Sequence, residues 1–315
     1  MRTPDTPITK TADLVLKQMR QVIVGKDLQL AWIFAAILSG GHILLEDIPG
    51  VGKTTLAVGF SKLLGLDYSR VQFTPDVLPS DITGFSIPDP QGGMTYRPGA
   101  ILCNLFLADE LNRATSRTQS ALLEAMEEQQ VTVDGVSHRL PQPFIVIATQ
   151  NPTGAAGTQL LPDSQMDRFS IRLSLGYPNP ADEVAMVLSR LQGNPIPQLK
   201  PILTPAQLAQ MQQIVAQTHI SDAVVEYIVN LIDATRHDGR IIRGASPRAT
   251  LCLADMAKAI AQLSGRDYVV PKDVQQVFLQ CIPHRLLLAP QAEGAQSAEE
   301  ILSDILAQVK APRIG

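Results

Sequence analysis

The sequence of 315 residues is poor in cysteine, aromatic residues and charge. It has 3 cysteines, 4% aromatic residues and 18% charged residues, against about 25% charged residues in a typical domain. Cys103, Cys252 and Cys281 are widely spaced and form no Cys-x-x-Cys pair, so neither a disulfide framework nor a zinc ribbon is supported. We expect reduced, intracellular thiols. Hydrophobic residues make up 45% of the chain, which excludes wholesale disorder.

The chain has no excess of cations. Lysine and arginine together number 26 and aspartate and glutamate 30, so the formal net charge is −4. A protein that binds nucleic acid through charge alone is normally basic. The charge balance therefore argues against a nucleic-acid partner.

Long hydrophobic runs are also missing. The most apolar region, residues 30–45, is interrupted by Ser39-Gly40-Gly41-His42. It is shorter than the ~20 residues that a membrane helix needs. The first residues show no signal-peptide pattern. We therefore expect a cytoplasmic protein without a membrane span.

Short apolar runs do occur in the first half of the chain. They are His42–Glu46, Arg70–Phe73, Asn104–Ala108, Phe144–Thr149 and Phe169–Leu173. Nearly continuous apolar segments of this length are typical of strands that are buried on both faces. Helical patterns at residues 54–64 and 116–130 alternate with them, which predicts a parallel α/β sheet of these five strands.

Two insertions interrupt this alternation. Residues 84–99 are rich in glycine and proline. Residues 131–140 carry Asp134-Gly135 between valines, which predicts a β-hairpin.

After Leu175 the pattern changes to prolines and then to helices. The predicted helices are Thr204–Ala216, Ser221–His237, Ser246–Leu263, Pro271–Leu279 and Ala298–Val309. Thr204 and Ser246 each precede a proline, as an N-cap residue precedes the first helical position. We predict an α/β domain over residues 1–176, a linker over 177–202 and an all-α domain over 203–315.

The first predicted strand leads into a loop that is typical of phosphate binding. Residues 47–54, Asp-Ile-Pro-Gly-Val-Gly-Lys-Thr, match G-x-x-x-x-G-K-[ST] except that Asp47 stands at the first glycine. Gly50 and Gly52 allow backbone N–H groups to surround a phosphate at the start of the next helix. Lys53 would reach the β- and γ-phosphates and Thr54 would hold Mg²⁺. The alternative, a plain glycine-rich turn, does not explain the Lys-Thr pair.

The second motif is the pair Asp109-Glu110, which comes directly after the third predicted strand. Alone, two carboxylates at a strand end are usually a solvated surface feature. After a phosphate loop they suit Mg²⁺-dependent nucleotide hydrolysis, with Asp109 on the metal side and Glu110 activating the attacking water.

Asn151 ends the fourth predicted strand, at the sheet edge where ligands bind in open α/β folds. It would hold the lytic water or sense the γ-phosphate, or serve as a turn residue before Pro152.

Arg168 and Arg248 are further candidates. A lone arginine such as Arg168 is usually a surface charge, whereas Arg248 lies in a first helical turn, where a cation is electrostatically unfavourable.

These motifs together resemble the MoxR family of AAA+ ATPases. The resemblance extends over about residues 20–290. It rests on Val24-Gly25, on residues 45–54, 72–84 and 109–114, and on Asn151, Asp167-Arg168-Phe169 and Ser246-Pro247-Arg248. Asp47 and Lys26 depart from the commonest pattern, although an acidic pair at 46–47 is common in such sequences.

The resemblance implies an AAA+ αβα domain with a five-stranded parallel sheet, an all-α lid and a homo-oligomeric, usually hexameric, ring. It implies that Asn151 is sensor 1, Arg168 the arginine finger offered to a neighbour, and Arg248 sensor 2, in cis or in trans. Arg113 and Arg117 are rival trans-acting arginines. ATP and Mg²⁺ are the implied cofactors. The implied nucleotide-binding residues are Ile23, Val24, Gly25, Pro49, Gly50, Val51, Gly52, Lys53, Thr54 and Thr55, with Thr54 and Asp109 on the metal side.

The resemblance also implies a chaperone-like role in which ATP hydrolysis remodels, assembles or activates protein clients. A partner with a von Willebrand factor A domain is also implied, and it would be a separate protein because the metal-binding motif of that domain, Asp-x-Ser-x-Ser, is absent here. Three alternatives remain open. They are a nucleic-acid motor, a nucleotide-gated assembly module with little turnover, and the ATPase subunit of a chelatase.

Overall fold

A computed structural model of the chain describes residues 7–90, 93–151, 161–191, 193–290 and 296–313. The predicted ranges that include residues outside these limits, such as the insertion at 84–99 with Gln91 and Gly92, are described only in part. Among the described residues, no helix is both long and apolar enough to cross a membrane.

The strands of the described ranges form one large sheet and three short pairs. Their bounds are β1 Ile43–Glu46, β2 Tyr68–Gln72, β3 Gly84–Pro88, β4 Met94–Pro98, β5 Leu105–Asp109, β6 Gln130–Val133, β7 Val136–Arg139, β8 Ile145–Gln150, β9 Ile171–Leu173, β10 Ile241–Arg243 and β11 Leu287–Leu288. The large sheet has the order β2-β5-β8-β1-β9, and all its neighbouring strands are parallel. The prediction of a five-stranded parallel sheet is confirmed.

The central strands are buried on both faces. In β5, Leu105 and Leu107 belong to the hydrophobic cluster on one face of the sheet, and Phe106 and Ala108 to the cluster on the other. Every residue of β5 and β8 is buried. This burial explains why the runs are continuously apolar rather than alternating.

Helices cover the two faces of the sheet and form the second domain. Their bounds are α1 Pro7–Val22, α2 Asp27–Leu38, α3 Lys53–Leu63, α4 Pro79–Thr83, α5 Ser116–Glu128, α6 Asp163–Met166, α7 Pro180–Leu191, α8 Pro205–Ala216, α9 Asp222–His237, α10 Pro247–Leu263, α11 Pro271–Cys281 and α12 Ala298–Gln308. Thr204 and Ser246 cap α8 and α10 through their side chains, as their sequence context predicts.

Three details differ from the sequence-based expectation. Helix α7 lies inside the predicted linker, where Pro180 is its first residue, a position that tolerates proline. The predicted all-α region contains the antiparallel pair β10–β11. The glycine- and proline-rich insertion, for which the sequence predicts no strands, contains the antiparallel pair β3–β4. The pair β10–β11 joins segments that are distant in sequence, and such pairing leaves no local pattern.

The helical domain packs directly on the α/β domain. A single hydrophobic cluster includes Ile33 and Ile37 of α2 together with Leu208 of α8 and Leu253 of α10. Gln212 Nε2 also donates a hydrogen bond of 2.8 Å to the carbonyl oxygen of Ile37. The two domains therefore share one continuous core.

Candidate functional site

The phosphate loop connects β1 to α3 at the carboxyl edge of the sheet. Gly50 and Gly52 have φ angles of 88° and 98°, a conformation that side chains other than glycine rarely adopt. A cavity of about 350 Å³ opens beside the loop. The residues that line it are Pro49, Gly50, Gly52, Lys53, Thr54, Thr55, Arg70, Gln72, Asp109, Glu110 and Asn151.

The amine of Lys53 lies in the wall of this cavity. Its Nζ donates hydrogen bonds of 2.6 Å to the carbonyl oxygen of Asp47 and 3.3 Å to that of Ile48. Burial lowers the pKa of Lys53, and the negative charges of Asp47, Asp109 and Glu110 partly oppose that shift. Both partners of the amine are neutral carbonyls, so an anionic phosphate oxygen in the cavity would be a stronger acceptor.

Asp109 is fixed by charged and neutral donors. Its Oδ2 accepts hydrogen bonds of 2.7 Å and 3.1 Å from Nη2 and Nε of Arg70. Its Oδ1 accepts a hydrogen bond of 2.6 Å from Oγ1 of Thr149. Gln72 of β2 pairs with Asp109 of β5, and this register brings Arg70 of β2 within reach of Asp109.

Glu110 leaves the end of β5 in a strained conformation. Its φ of 58° is left-handed, which costs roughly 1–3 kcal/mol for a residue other than glycine and often marks a functional site. The Glu110 N–H donates a hydrogen bond of 2.9 Å to Oγ1 of Thr149, so one hydroxyl orients both acids. Nη1 of Arg113 lies 2.9 Å from Oε2 of Glu110.

Asn151 meets Glu110 at the mouth of the cavity. Its Nδ2 donates a hydrogen bond of 3.4 Å to Oε1 of Glu110. Its carbonyl oxygen accepts one of 3.2 Å from Nδ2 of Asn112. The parallel strands β5 and β8 thus bring an acid and an amide, 41 residues apart in sequence, to the same place.

Asp47, which replaces the first glycine of the loop pattern, does not line the cavity. Its buried carboxylate accepts hydrogen bonds from Oγ of Ser174 (2.7 Å) and from the N–H groups of Leu175 (2.6 Å) and Gly176 (3.0 Å). The acid therefore ties the phosphate loop to the chain that leaves β9 toward the helical domain.

Residues 23–25 lie beside the loop, outside the 350 Å³ cavity. A Cβ placed at Gly52 would lie 3.3 Å from Cδ1 of Ile23, so the two segments are in contact. A Cβ at Gly25 would overlap the carboxylate of Asp182 on α7. Val24 lies between these two positions and is half-buried, and Val51 packs against the hydrophobic core.

Arg168 and Arg248 lie together in a second place, away from the phosphate loop. Nη2 of Arg168 is 3.1 Å from Oε2 of Glu127, and Nη1 of Arg248 is 3.0 Å from Oε1 of the same carboxylate. All three side chains line a separate cavity of about 260 Å³. We call this group the arginine cluster. The rival Arg113 pairs with Glu110 of its own chain, and Arg117 is exposed on α5.

Sequence reasoning missed four residues of the site, among them Arg70 and Gln72, which line the cavity. Arg70 and Thr149 fix Asp109, and Asn112 holds the backbone of Asn151. Thr149 ends the fourth predicted strand, and this position was its only signal, whereas Arg70 begins the second predicted strand and carried no signal of its role. Their partners depend on strand order, which the sequence did not provide.

Comparisons with known proteins agree with this architecture. The family model described as an ATPase family associated with various cellular activities (AAA) matches residues 42–171, and the model of an AAA lid domain matches residues 233–305. The crystal structure of a protein from Cytophaga hutchinsonii superimposes with a TM-score of 0.89 at 35% identity, covering 97% of this chain and 96% of that one.

Curated relatives match over nearly the whole chain. Protein YeaC of Bacillus subtilis is 44% identical over 94% of this chain and 93% of its own length. Chaperone MoxR1 of Mycobacterium tuberculosis is 38% identical over 96% of this chain and 83% of its own length. The chain therefore belongs to the MoxR family of AAA+ ATPases. Membership of this family implies that it binds a nucleotide.

Proposed function

We propose that the protein hydrolyses ATP with Mg²⁺ and uses the energy to remodel, assemble or activate protein clients. One observation carries the proposal: a single cavity collects the phosphate loop, Lys53, Asp109, Glu110 and Asn151. Phosphoryl transfer to water requires four groups. They are an amine that binds phosphate, an acid on the metal side, an acid that activates water and a polar amide.

The donor set of the cavity fits a magnesium nucleotide. Loop residues Gly50 and Gly52 open the backbone toward the cavity, and α3 begins directly behind them. Thr54 and Asp109 are the oxygen donors on the metal side, and Mg²⁺ prefers oxygen ligands. Asp109, whose two carboxylate oxygens already accept hydrogen bonds from Arg70 and Thr149, would act on the metal side through bound water. The ion would neutralise charge on the phosphates.

In this proposal Glu110 and Asn151 act on the attacking water. Glu110 accepts its proton and Asn151 orients it, since the two side chains already meet at 3.4 Å. Lys53 moves from the carbonyl oxygens of Asp47 and Ile48 to a phosphate oxygen. Ile23, Val24 and Gly25 contact the nucleotide base.

The position of the arginine cluster supports completion of the site by a second subunit. Arg168 and Arg248 share Glu127, and neither lines the cavity at the phosphate loop of its own chain. We propose that both act in trans within a homo-oligomeric ring, a hexamer. Arg168 supplies the arginine finger, and Arg248 supplies sensor 2 beside it.

The similarity to a protein named Chaperone MoxR1 supports protein clients rather than nucleic acid. The acidic charge balance points the same way. A protein with a von Willebrand factor A domain is a proposed partner, and the cytoplasm is the proposed location. A chelatase subunit or a gated module with negligible turnover would share the fold, and the assay below separates the gated module from an ATPase.

The test is phosphate release from ATP and Mg²⁺ over a dilution series of the protein. Glu110→Gln is expected to bind ATP while its kcat falls about 10²–10⁴-fold, the usual contribution of a general base. Glu124→Gln, an exposed glutamate on α5, is the matched control and is expected to keep full activity.

The dilution series tests the ring. We expect specific activity to rise steeply with protein concentration, because each site needs a neighbour. Near-normal turnover of Glu110→Gln would overturn the role of Glu110. Wild-type turnover no higher than that of Glu110→Gln would favour the gated module.

A further inference from the structure

The segment that carries Arg168 is held by the helical domain of its own chain. Nε2 of His284 lies 2.9 Å from the carbonyl oxygen of Phe169. Sγ of Cys252 donates a hydrogen bond of 3.3 Å to the carbonyl oxygen of Ser170. Residues 167–170 belong to the α/β domain, so these contacts cross between the two domains.

Arg285 makes the most extensive of these contacts. Its Nη2 donates hydrogen bonds of 2.8 Å to the carbonyl oxygen of Phe169 and 3.2 Å to that of Asp167. Its Nε lies 2.9 Å from Oδ1 of Asp167. One guanidinium therefore binds the backbone on both sides of Arg168, and its planar fork makes these contacts together.

Asp167 extends this contact to the second arginine of the cluster. Its Oδ2 accepts a hydrogen bond of 2.8 Å from Oγ of Ser246. The same hydroxyl accepts a hydrogen bond of 3.2 Å from the N–H of Ala249 and caps helix α10. Arg248 is the second residue of that helix. The Asp167 carboxylate thus links the Arg168 segment to the turn that carries Arg248.

Burial sets Arg285 apart from an ordinary surface arginine. Its side chain is 2% exposed, and arginine is almost never fully buried unless it is paired. The partners of this buried charge include residues 167 and 169, the two neighbours of Arg168, and the side chain of Cys252. A buried ion pair is weak evidence for a contribution to stability, but it fixes geometry well.

We propose that Arg285 is a positioning residue that acts through Asp167 to hold Arg168 in the orientation that reaches a neighbouring subunit. This inference rests on the proposed role of Arg168 in trans. In this proposal the position of Arg168 depends on the helical domain, because a shift of that domain would move Arg285, Ser246 and Arg248 together. Arg285 does not line the cavity at the phosphate loop of its own chain.

A mixing experiment tests the proposal with the full-length protein. Arg285→Lys retains a charge but lacks the fork, and a finger misplaced by about 1 Å lowers activity about 100-fold. Asp167→Asn is the second variant, with the same expectation. Each variant is mixed with an excess of Glu110→Gln subunits, which supply an intact finger but hydrolyse poorly themselves.

We expect the excess of Glu110→Gln to restore turnover per Arg285→Lys subunit to that of wild-type subunits diluted in the same way. The variant's own site is intact, and its finger comes from the neighbour. The affinity of each variant for a fluorescent ATP analogue is expected to equal that of the wild type. Arg266→Lys is the matched control, because Arg266 pairs with the buried Asp273 away from residues 167–170. Its turnover, alone and in the mixture, is expected to equal that of wild-type subunits treated in the same way.

The outcomes separate this inference from the proposed function. Arg168→Ala is mixed with Glu110→Gln in parallel. Failure to restore Arg168→Ala would overturn the proposed action in trans. Restoration of Arg168→Ala without restoration of Arg285→Lys and Asp167→Asn would overturn only the positioning role. Failure of both positioning variants to assemble with wild-type subunits, measured by size-exclusion chromatography, would also overturn it, because Arg285 would then be a purely structural residue.

Discussion

The phosphate-loop cavity and the arginine cluster are built in opposite ways. The cavity is formed within one domain, by residues at or next to the carboxyl ends of β1, β2, β5 and β8. The arginine cluster takes Glu127 and Arg168 from the α/β domain and Arg248 from the helical domain. The first is set by strand register, and the second depends on how two domains are docked.

This difference indicates which part of the machinery is preformed. Thr149 holds both acids of the cavity through one buried hydroxyl, so their geometry does not need a second domain. The residues on both sides of Arg168 contact Arg285 and Ser246, which belong to the helical domain. A movement between domains would therefore displace the segment that carries Arg168 and leave the two acids unchanged.

The largest expected effects come from one substitution in each of the two regions. Lys53→Ala is expected to abolish binding of a fluorescent ATP analogue, since the cavity loses the amine that we propose binds phosphate. Arg168→Ala is expected to leave that binding unchanged and to lower kcat by about 10³–10⁵-fold, the usual contribution of an arginine finger. Titration of the fluorescent analogue with dilute subunits measures binding, and phosphate release measures kcat.

Arg117→Ala is measured in parallel with Arg168→Ala, because Arg117 is an exposed arginine on α5 and a rival candidate for action in trans. We expect it to keep wild-type turnover. If Arg168→Ala weakened nucleotide binding as strongly as Lys53→Ala, the two regions would form one site and the comparison would break down.

A smaller effect is expected from Thr149→Val, which tests whether the acids of the cavity are preformed. Valine has nearly the shape of threonine but leaves Oδ1 of Asp109 and the N–H of Glu110 without this partner. The free energy of unfolding, measured in urea, is expected to fall by about 1–3 kcal/mol.

Thr149→Ser retains the hydroxyl, and we expect it to cost only about 1 kcal/mol for the lost methyl group. Equal losses for the two variants would mean that the hydroxyl contributes nothing to holding the acids.

The smallest effect is expected from Glu127→Gln in the arginine cluster. The Glu127 side chain is 41% exposed, and exposed ion pairs contribute about 0–1 kcal/mol. We expect the free energy of unfolding to change by less than about 1 kcal/mol at low salt and the change to vanish near 1 M salt, because screening is then nearly complete. A loss as large as that of Thr149→Val would show that Glu127 is a structural anchor.

Much of the cavity could be predicted from the sequence. The loop at 47–54, the acids at 109–110 and Asn151 each follow an apolar run, and parallel strands bring their carboxyl ends to one edge. The arginine cluster could not be predicted in the same way. Glu127 was not identified as a candidate, because an acid at the end of a helix carries no local signal of its partners.

The sequence by itself determined the local elements of this protein. Apolar runs set the buried strands, glycines set the loop between β1 and α3, and threonine or serine before proline set the starts of α8 and α10. These choices depend on side-chain periodicity and on backbone angles within a few residues.

Only the tertiary structure decided which distant groups meet. It paired Arg70 with Asp109, placed Glu127 against Arg248 121 residues away, and brought Arg285 to the backbone around Arg168. The order β2-β5-β8-β1-β9 and the docking of the helices on α2 follow from burying all apolar faces in one core. That global condition on the whole chain cannot be read from any single segment.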